Sequence, residues 1–417
     1  MGKKFLLFID ALKINHAKFY NFVLLKKEIE KMGHNLDIMI PPVTDPSAKN
    51  PERSPYIYDL TEIPKYYQIE IISCKKELLT TKRYDALLIV EFTLLEKSSK
   101  FPLTRQKVID IYKGPIICLK TDTIFEYYRV DNPTVKYGVL TSQPIIFNRE
   151  YPNDEKSKKH WFQMPLLCNP SYGKPNSLSR KEFCSKHGLD PDKKIVAYLP
   201  GYFKKMWKKN EGLDNYKKIK NPFVRETLVN FVLLNKNFHH LVSAFDSQGY
   251  QLVGKLHVRN PDKFFSVKKN DRFVHFNKIK YVDQYYYFEL LKYADFAITL
   301  GTTMVYYLYL CNLPAMDLGS GNYFPSWSSV KNTNLEKGAN PDPFKKYNSG
   351  KDLILGKTYS LQSYPKLTPK IWVKILADFL KIDHKKKFKY FKNNPLYGKS
   401  YQATLGRIVN LIVERAS

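Results

Sequence analysis

Gly301, Thr302 and Thr303 form the part of this chain best suited to binding an anion. They lie between a short apolar run, Phe296 to Leu300, and a second apolar stretch with the pattern of a helix. A strand that ends in glycine and hydroxyl residues before a helix leaves backbone N–H groups pointing outward, where the helix dipole adds partial positive charge. The segment therefore predicts a site for a phosphate or diphosphate.

Basic side chains follow a second predicted strand, Tyr250 to Leu256. Lys255, His257 and Arg259 alternate along its end. Cations at that position could stabilise the negative charge that develops on a departing phosphate group. We predict that all three bind the phosphate and that His257 also acts in catalysis. The alternative is ordinary surface charge for the two cations and a structural role for the imidazole.

A further phosphate contact is predicted in the loop after the strand Lys194 to Leu199. Gly201 opens this loop, and Lys205 stands among the lysines that follow. Backbone N–H groups beside a flexible ammonium suit a second phosphate oxygen. A solvated basic loop would have the same composition, so both interpretations stay open.

Several side chains that could move a proton follow the apolar strands of the first half. The leading candidate for a general base is Asp122, which comes shortly after the strand Gly114 to Leu119. A carboxylate there could take the proton of an acceptor hydroxyl, although an Asp that caps a helix would look the same. The other predicted acceptor-side residues, of which His16 is also a candidate catalyst, are Asp10, His16, Glu91 and Arg129.

The elements that must position these residues alternate between apolar strands and amphipathic helices. Such strands, covered on both faces by helices, belong in a parallel sheet. Helices are predicted over Phe19–Lys31 before Gly33, up to His187-Gly188, and over Gln402–Arg415. The predicted strands are Lys4–Asp10, Leu36–Ile40, Ile69–Cys74, Tyr84–Val90, Gly114–Leu119, Val139–Thr141, Lys194–Leu199, Tyr250–Leu256, a short one near Phe273–Phe276, and Phe296–Leu300.

The alternation occurs twice, on either side of a proline-rich stretch, Asn148 to Arg180, that interrupts it. We therefore predict an N-terminal acceptor-binding domain over 1–160, a linker over 161–185, a donor-binding domain over 186–380, and a basic segment with a helix over 381–417. Ligands of open α/β sheets bind outside the carboxyl ends of the strands, which here means a cleft between two doubly wound domains. The chain has neither a G-x-G-x-x-G fingerprint nor a Walker A motif, which disfavours a Rossmann-type dehydrogenase and a P-loop NTPase.

The chain is strongly basic. Its 417 residues include 68 Lys and Arg against 39 Asp and Glu, which gives a net charge of +29. A field of that size attracts polyanions such as nucleic acid, acidic glycan or anionic lipid. Basic stretches with aromatic residues, Tyr202–Lys220 and Lys385–Lys392, suit a nucleic-acid groove, peripheral attachment to a membrane, or a solvated lysine face. The abundance of Lys, Asn, Ile, Tyr and Phe also fits the coding bias of an AT-rich genome.

Other features narrow the class of protein. The five cysteines are scattered, which suits buried thiols in a reducing compartment rather than a zinc site or disulfides. No apolar run reaches the roughly 18 residues of a transmembrane helix, and the N-terminal apolar run reads better as a strand than as a signal peptide. We therefore expect a cytoplasmic protein, including the cytoplasm of a host or virus-infected cell. Asp190-Pro191-Asp192 is predicted to be a turn, and no essential metal is expected.

The second half of the chain resembles the donor-binding domain of GT-B glycosyltransferases. The closest likeness is to the branch with CDP-glycerol glycerophosphotransferases and the UDP-GlcNAc 2-epimerase-like fold. The segments IVAYLPGYFKKMW, YQLVGKLHVRN and Tyr285 to Pro314 occur in the family's order. The family's Lys-x-His-Pro element corresponds to Lys255-Leu256-His257-Val258 without the proline, and its Ser-Ser pair to Thr302-Thr303. Its ribose-binding acid falls near Tyr307, where this chain has no acidic residue.

The resemblance implies an α/β protein of GT-B type, with two Rossmann-like domains facing a cleft and a C-terminal helix. It implies transfer of a sugar from a nucleotide-sugar co-substrate to an acceptor hydroxyl, with no metal and no other cofactor. A glycan is the first acceptor that it suggests. The loop LKTDTIFEYYR around Asp122 also resembles the base-bearing loop of phage DNA glucosyltransferases, so DNA with hydroxymethyl pyrimidines is an alternative. A CDP-alcohol phosphotransferase and a non-catalytic nucleic-acid-binding protein are the remaining alternatives.

Overall fold

The computed structural model of the chain divides into two compact units. The first comprises Met1–Cys168 and Asn394–Ser417, and the second comprises Asn169–Asn393. The structure describes residues 2–9, 16–40, 67–73, 75–81, 83–90, 108, 110–120, 137–141, 161–163, 178–200, 222–255, 279–282, 286–300, 308, 313–318, 356–384 and 401–417.

The described part of the first unit is built on a seven-stranded sheet in which every neighbouring pair is parallel. The spatial order of its strands is 3-2-1-4-5-6-7. The strands are β1 (Lys4–Phe8), β2 (Asn35–Ile40), β3 (Ile72–Ser73), β4 (Ala86–Val90), β5 (Ile116–Lys120), β6 (Tyr137–Thr141) and β7 (Trp161–Gln163), and the helices are α1 (His16–Lys31) and the short α2 (Lys76–Thr80).

Burial of apolar runs explains these elements. The strand β1 places four of its five residues in the core, and β2 and β4 flank it. The helix α1 buries Phe19, Phe22, Val23 and Ile29 completely, which are the residues that the helical pattern placed on one face. Gly33 follows α1 with a φ of 83°, a left-handed conformation that suits glycine at the end of a helix.

The C-terminal helix α8 (Tyr401–Arg415) belongs to the first unit, although it comes last in the sequence. It packs against α1. Over the described side chains, Leu405 to Arg415, the buried ones are the four predicted for its apolar face, Leu405, Ile408, Val409 and Ile412. The Lys3 ammonium ties the chain start to this helix by donating to the Val413 carbonyl (2.8 Å) and to the Ser417 hydroxyl.

The strand β7 was not predicted. It lies in the proline-rich stretch interpreted as a linker and pairs with β6 over Val139–Thr141. Three residues are too few for the alternation of apolar and polar side chains to be recognised in the sequence. The pairing partner, which is distant in the sequence, is what makes this segment a strand.

The described part of the second unit has a six-stranded parallel sheet. Its strands lie side by side in the order β10-β9-β8-β11-β12-β13, which is 3-2-1-4-5-6 when they are numbered from the first strand of this unit. The strands are β8 (Lys194–Pro200), β9 (Tyr250–Gly254), β10 (Lys280–Tyr281), β11 (Ala294–Leu300), β12 (Ala315–Asp317) and β13 (Gly356–Thr358). The helices are α3 (Arg180–His187), α4 (Pro222–Lys236), α5 (Phe238–Asp246), α6 (Tyr287–Tyr293) and α7 (Pro369–Leu380), with a 3-10 turn at Leu361–Ser363.

Helix α3 shows how local sequence sets an element. Ser179 and Glu182 form a capping box at its start, and hydrogen bonds from Ser179 lower the pKa of the Glu182 carboxyl. The helix ends as predicted at His187, with Gly188 left-handed at a φ of 62°. Burial raises the pKa of the Cys184 thiol on the inner face, as expected of a structural cysteine.

One core of the second unit lies on the sheet face covered by α5 and α7 and contains Tyr198, Phe245, Phe296, Trp372 and Phe379 among its largest side chains. The rings of Phe296 and Phe379 lie 5.0 Å apart, which fixes α7 to the sheet. No helix in the described part of the chain is long and apolar enough to cross a lipid bilayer.

Gly254 at the end of β9 leaves no room for a side chain. A Cβ atom there would lie 2.3 Å and 2.5 Å from two ring carbons of Tyr281 on β10. Gly254→Ala should therefore lower the free energy of unfolding by about 1–3 kcal/mol, the usual cost of overpacking. Urea denaturation of the variant and the wild type measures it.

Gly406→Ala in α8 is the matched control, because the nearest atom to its added Cβ is 3.8 Å away. Alanine is the better helix former, so this variant should be as stable as the wild type or more stable by about 0.5–1 kcal/mol. Equal losses in the two variants would show that Tyr281 does not constrain Gly254.

Candidate functional site

The carboxyl ends of β8 and β11 meet at the point where the second sheet reverses its strand order. These two strands are neighbours, while β9 lies on the far side of β8 and β12 on the far side of β11. Their register pairs Pro200 with Leu300, the last residue of each strand. Doubly wound sheets bind ligands outside the carboxyl ends of the strands at this switch point. This edge is the candidate functional site.

Two segments predicted to contact phosphate begin directly at this edge. Gly201 follows Pro200, and Gly301 follows Leu300. Because those strand ends are paired, the two segments leave the sheet from adjacent positions. Seven of the predicted donor-side residues lie outside the described residues: Gly201, Lys205, His257, Arg259, Gly301, Thr302 and Thr303.

Lys255 is the predicted donor-side residue that the structure describes. It immediately follows β9 at the same edge, and its backbone N–H donates to the Tyr198 carbonyl on β8 (3.0 Å). Its ammonium nitrogen lies 4.8 Å from the centre of the Tyr287 ring, a cation–π contact. The backbone bond and the ring contact together hold a positive charge one strand away from the switch point.

The Tyr287 ring that contacts the Lys255 ammonium is held in place by burial. Tyr287 is 1% exposed at the start of α6, so its ring cannot turn away from the ammonium. Burial raises the pKa of Tyr198 and of Tyr281 well above the usual value, and both phenols therefore stay protonated at neutral pH. Among the described residues at this end of β8 and β9, Lys255 carries the charge.

A buried polar pair joins the ends of β11 and β12. The Thr299 hydroxyl donates to Asp317 Oδ1 at 2.9 Å, and both side chains are largely excluded from solvent. The two residues are register partners, so they project from the same face of the sheet. The pair fixes the chain two residues before Gly301.

Asn230 on α4 continues this support. Its side-chain amide donates to the Leu318 carbonyl (2.9 Å) and accepts from the Leu361 N–H (3.1 Å), and the side chain is fully buried. The Asn230 side chain thus provides hydrogen-bond partners for a backbone carbonyl just after β12 and for a backbone N–H at the start of the 3-10 turn. Thr299, Asp317 and Asn230 were not predicted as supporting residues from the sequence. A polar residue within an apolar run, such as Asn230 in LVNFVLL, was the pattern that could have indicated a buried hydrogen-bonding role.

Asp190-Pro191-Asp192 is a turn, as predicted. The Asp192 N–H donates to Asp190 Oδ1 at 2.9 Å, and the backbone N–H of Asp190 donates to the Gln251 side chain at 3.0 Å. The turn precedes the start of β8, at the opposite end of the strand from the candidate site. The Asp190 carboxylate therefore serves the local backbone.

The first sheet has the same switch point between β1 and β4, where Phe8 pairs with Ile89. Asp10 and Glu91 come directly after the described residues of these strands, and Asp122 comes two residues after Lys120 at the end of β5. These three residues and Arg129 lie outside the described residues. His16 is the first residue of α1, which starts earlier than predicted, so His16 begins a helix rather than lying on a loop.

Comparison with solved structures gives matches over nearly the whole chain. A putative UDP-N-acetylglucosamine 2-epimerase from Listeria monocytogenes is 10% identical, covers 99% of this chain and 96% of its own, and has a TM-score of 0.53. The UDP-GlcNAc 2-epimerase from Methanocaldococcus jannaschii has 11% identity, 99% coverage of each chain and a TM-score of 0.51. A glycosyltransferase from Rickettsia africae has 10% identity, covers 100% of this chain and 98% of its own, and has a TM-score of 0.50.

The chain has a GT-B fold. The two parallel sheets share the order 3-2-1-4-5-6, which the first extends by a seventh strand. This order and the whole-chain matches confirm the predicted fold class and the resemblance that pointed to it. No protein-family model and no curated protein sequence matches the chain. At identities near one residue in ten, the likeness to solved structures establishes the GT-B fold, and activity has to be argued from this chain's own residues.

Proposed function

We propose that this GT-B protein binds a nucleotide sugar at the carboxyl edge of the second sheet and transfers the sugar to an acceptor hydroxyl. The observation that carries the proposal is the pairing of Pro200 with Leu300, which starts two predicted phosphate-contact segments from adjacent strand ends. Lys255, held over Tyr287 at the same edge, supports it. The fold neighbours include glycosyltransferases and nucleotide-sugar epimerases.

The chemistry requires a stabilised leaving group. When the bond between the sugar and the diphosphate breaks, negative charge grows on the phosphate oxygen that departs. Under the proposal, backbone N–H groups and hydroxyls of Gly301 to Thr303 bind the diphosphate, and Lys255, His257 and Arg259 supply positive charge. No metal is needed for that step, and the nucleotide sugar is the co-substrate.

UDP is the nucleotide to test first. The MnaA protein of S. aureus, solved with UDP, covers 98% of this chain and 96% of its own at 10% identity, with a TM-score of 0.52. The names of the epimerase neighbours also refer to UDP sugars. These names describe other proteins, so CDP, GDP and ADP donors belong in the same panel.

The acceptor side of the proposal rests on the first unit. Asp122 would take the proton from the acceptor hydroxyl as general base, with His16 as the alternative, and Asp10, Glu91 and Arg129 would contact the acceptor. A glycan is the first acceptor proposed. The net charge of +29 favours hydroxymethyl-pyrimidine DNA as the alternative acceptor.

Epimerisation of a nucleotide sugar is the second candidate function. The three neighbours with TM-scores of 0.51 to 0.53 are two proteins named as UDP-GlcNAc 2-epimerases, one of them putative, and MnaA. Both reactions begin with the same bound donor and the same phosphate contacts. They differ in whether the sugar leaves with an acceptor or returns to the nucleotide.

A panel of UDP, CDP, GDP and ADP sugars, incubated with the full chain and candidate acceptors, tests the proposal. Release of a nucleoside diphosphate with a glycosylated product supports transfer, and a nucleotide sugar of unchanged mass with altered NMR couplings supports epimerisation. Asp122→Asn should lower transfer by about 10²–10⁴-fold while leaving donor binding intact. Turnover of no donor, with no binding in calorimetry, would contradict both reactions.

A further inference from the structure

The outward face of α7 carries a row of lysines. Lys370, Lys374 and Lys381 are exposed. They fall within about 40° of one another around the helix axis, because successive residues advance by about 100°. Lys381 follows the helix in helical geometry, with φ −73° and ψ −14°. Lys366, which is also exposed, stands just before the helix. We call these four residues the lysine row.

The row has a fixed orientation because the opposite side of α7 is buried. Trp372, Ile375, Leu376 and Phe379 are at most 2% exposed and belong to the core of the second unit. At about 100° per residue they lie on the side of the helix opposite the row. The helix therefore cannot roll to hide its lysines without opening that core.

Among the residues that the structure describes, no acidic side chain forms an ion pair with the row. The ion pairs formed among the described residues involve other lysines and Arg415. Asp378 stands one helical turn after Lys374. Burial first, and then the charge of Asp378, raise the pKa of Tyr359 and of Tyr364, so this carboxylate also lies near those phenols. The row thus presents positive charge to its surroundings.

An exposed leucine lies at the edge of this surface. Leu380 is next to Lys381 in the sequence and about 100° from it around the helix axis. It is 51% exposed and is the large hydrophobic residue that the described part of the chain leaves most open to solvent. The next residues in the sequence include the predicted basic and aromatic stretch Lys385–Lys392. Phosphate contacts alone do not require an exposed leucine, whereas a lipid surface takes both the cations and the apolar side chain.

We propose that the lysine row and Leu380 form a docking surface for an anionic lipid bilayer. The helix would lie along the membrane, with its lysines among the lipid phosphates and Leu380 at the boundary of the acyl chains. The surface belongs to the second unit and does not depend on the proposed transfer reaction. Membrane attachment would hold the protein near acceptors or donors that are themselves in the membrane.

Cosedimentation of the full chain with vesicles tests this proposal. One set of vesicles is phosphatidylcholine, and the other has three parts phosphatidylcholine to one part phosphatidylglycerol. The protein should bind the anionic set, and binding should weaken with salt. Lys370→Gln/Lys374→Gln should reduce the partition coefficient about 25-fold, at about fivefold per lysine. Leu380→Ser should reduce it several-fold.

Lys181→Gln/Lys236→Gln is the matched control, since it removes two exposed charges from α3 and α4 of the same unit. It should keep binding within about threefold of the wild type, because net charge matters less than its placement. Equal losses in the two double variants, or no binding of the wild type to anionic vesicles, would overturn the proposal. So would loss of duplex DNA binding in the row variant with vesicle binding unchanged, which would identify a nucleic-acid surface.

Discussion

Lys255→Met should weaken binding of the preferred nucleoside diphosphate by about 10–100-fold, the usual effect of removing one charged hydrogen-bond partner. The methionine keeps the length and the apolar contact with Tyr287 but lacks the charge. Under the proposed function, the ammonium contacts the diphosphate from the end of β9. Isothermal titration calorimetry with the wild type and the variant measures the change.

The structure offers three further variants that separate charge from folding. Lys255→Arg should retain most of the affinity because it keeps a cation over the ring. Tyr287→Leu should lower affinity by less than Lys255→Met, since the ammonium stays but loses its fixed position. Lys280→Met removes an exposed charge from the neighbouring strand β10 and should leave affinity unchanged. If Lys280→Met weakens binding as much as Lys255→Met, the effect is general electrostatics and Lys255 has no specific role.

Asn230→Ala should lower the free energy of unfolding of the second unit by about 3–5 kcal/mol. The substitution leaves the Leu361 N–H and the Leu318 carbonyl without their partner in a buried setting. Each orphaned group costs about 1–3 kcal/mol, and the shortened side chain adds a cavity. Urea denaturation followed by circular dichroism and by tryptophan fluorescence gives the change and tests whether the two units unfold together.

Asn237→Ala is the control for the same substitution in a local setting. The Asn237 side chain donates to the Leu233 carbonyl one turn back (2.8 Å) and is partly exposed. Its loss should cost about 1 kcal/mol or less. If Asn230→Ala lowers the free energy of unfolding by no more than Asn237→Ala does, water replaces the buried amide. The end of β12 would then not depend on Asn230.

Local patterns predicted the elements that bury a continuous apolar run. The strand predicted over Lys194–Leu199 extends by one residue to Pro200, and the C-terminal helix predicted from Gln402 begins at Tyr401. The end of α3 was predicted because Gly188 is the residue that adopts a left-handed φ at lowest cost. In each case the deciding interactions lie within a few residues along the chain.

Tertiary pairing decided what those patterns could not show. The two-residue strand β10 exists because it pairs with β9, and no run of two residues has a detectable period. The apolar face of α8 predicted that this helix packs against another element, but the sequence did not show that the element is α1. Asn230 joins backbone groups 88 and 131 residues away, which no local pattern encodes.

Only part of the candidate site could be predicted, because local patterns show residue types but not which strands are neighbours. Residue types at strand ends identified Lys255 and the segments at Gly201 and Gly301 as anion contacts. The sequence did not give the strand order, and hence did not show that Pro200 and Leu300 are neighbours. That adjacency turns separate motifs into one proposed site. The acid expected near Tyr307 is absent from the sequence, so the family pattern identifies no ribose contact in this chain.

The central claim is that a nucleotide sugar binds at the carboxyl edge of the second sheet. Calorimetric titration with UDP, CDP, GDP and ADP, run in parallel on the wild type, Lys255→Met and Asp122→Asn, tests it most directly. We expect one nucleotide to bind the wild type and Asp122→Asn equally and to bind Lys255→Met about 10–100-fold more weakly. Binding of none of the four, or equal binding of the preferred one to all three proteins, would contradict it.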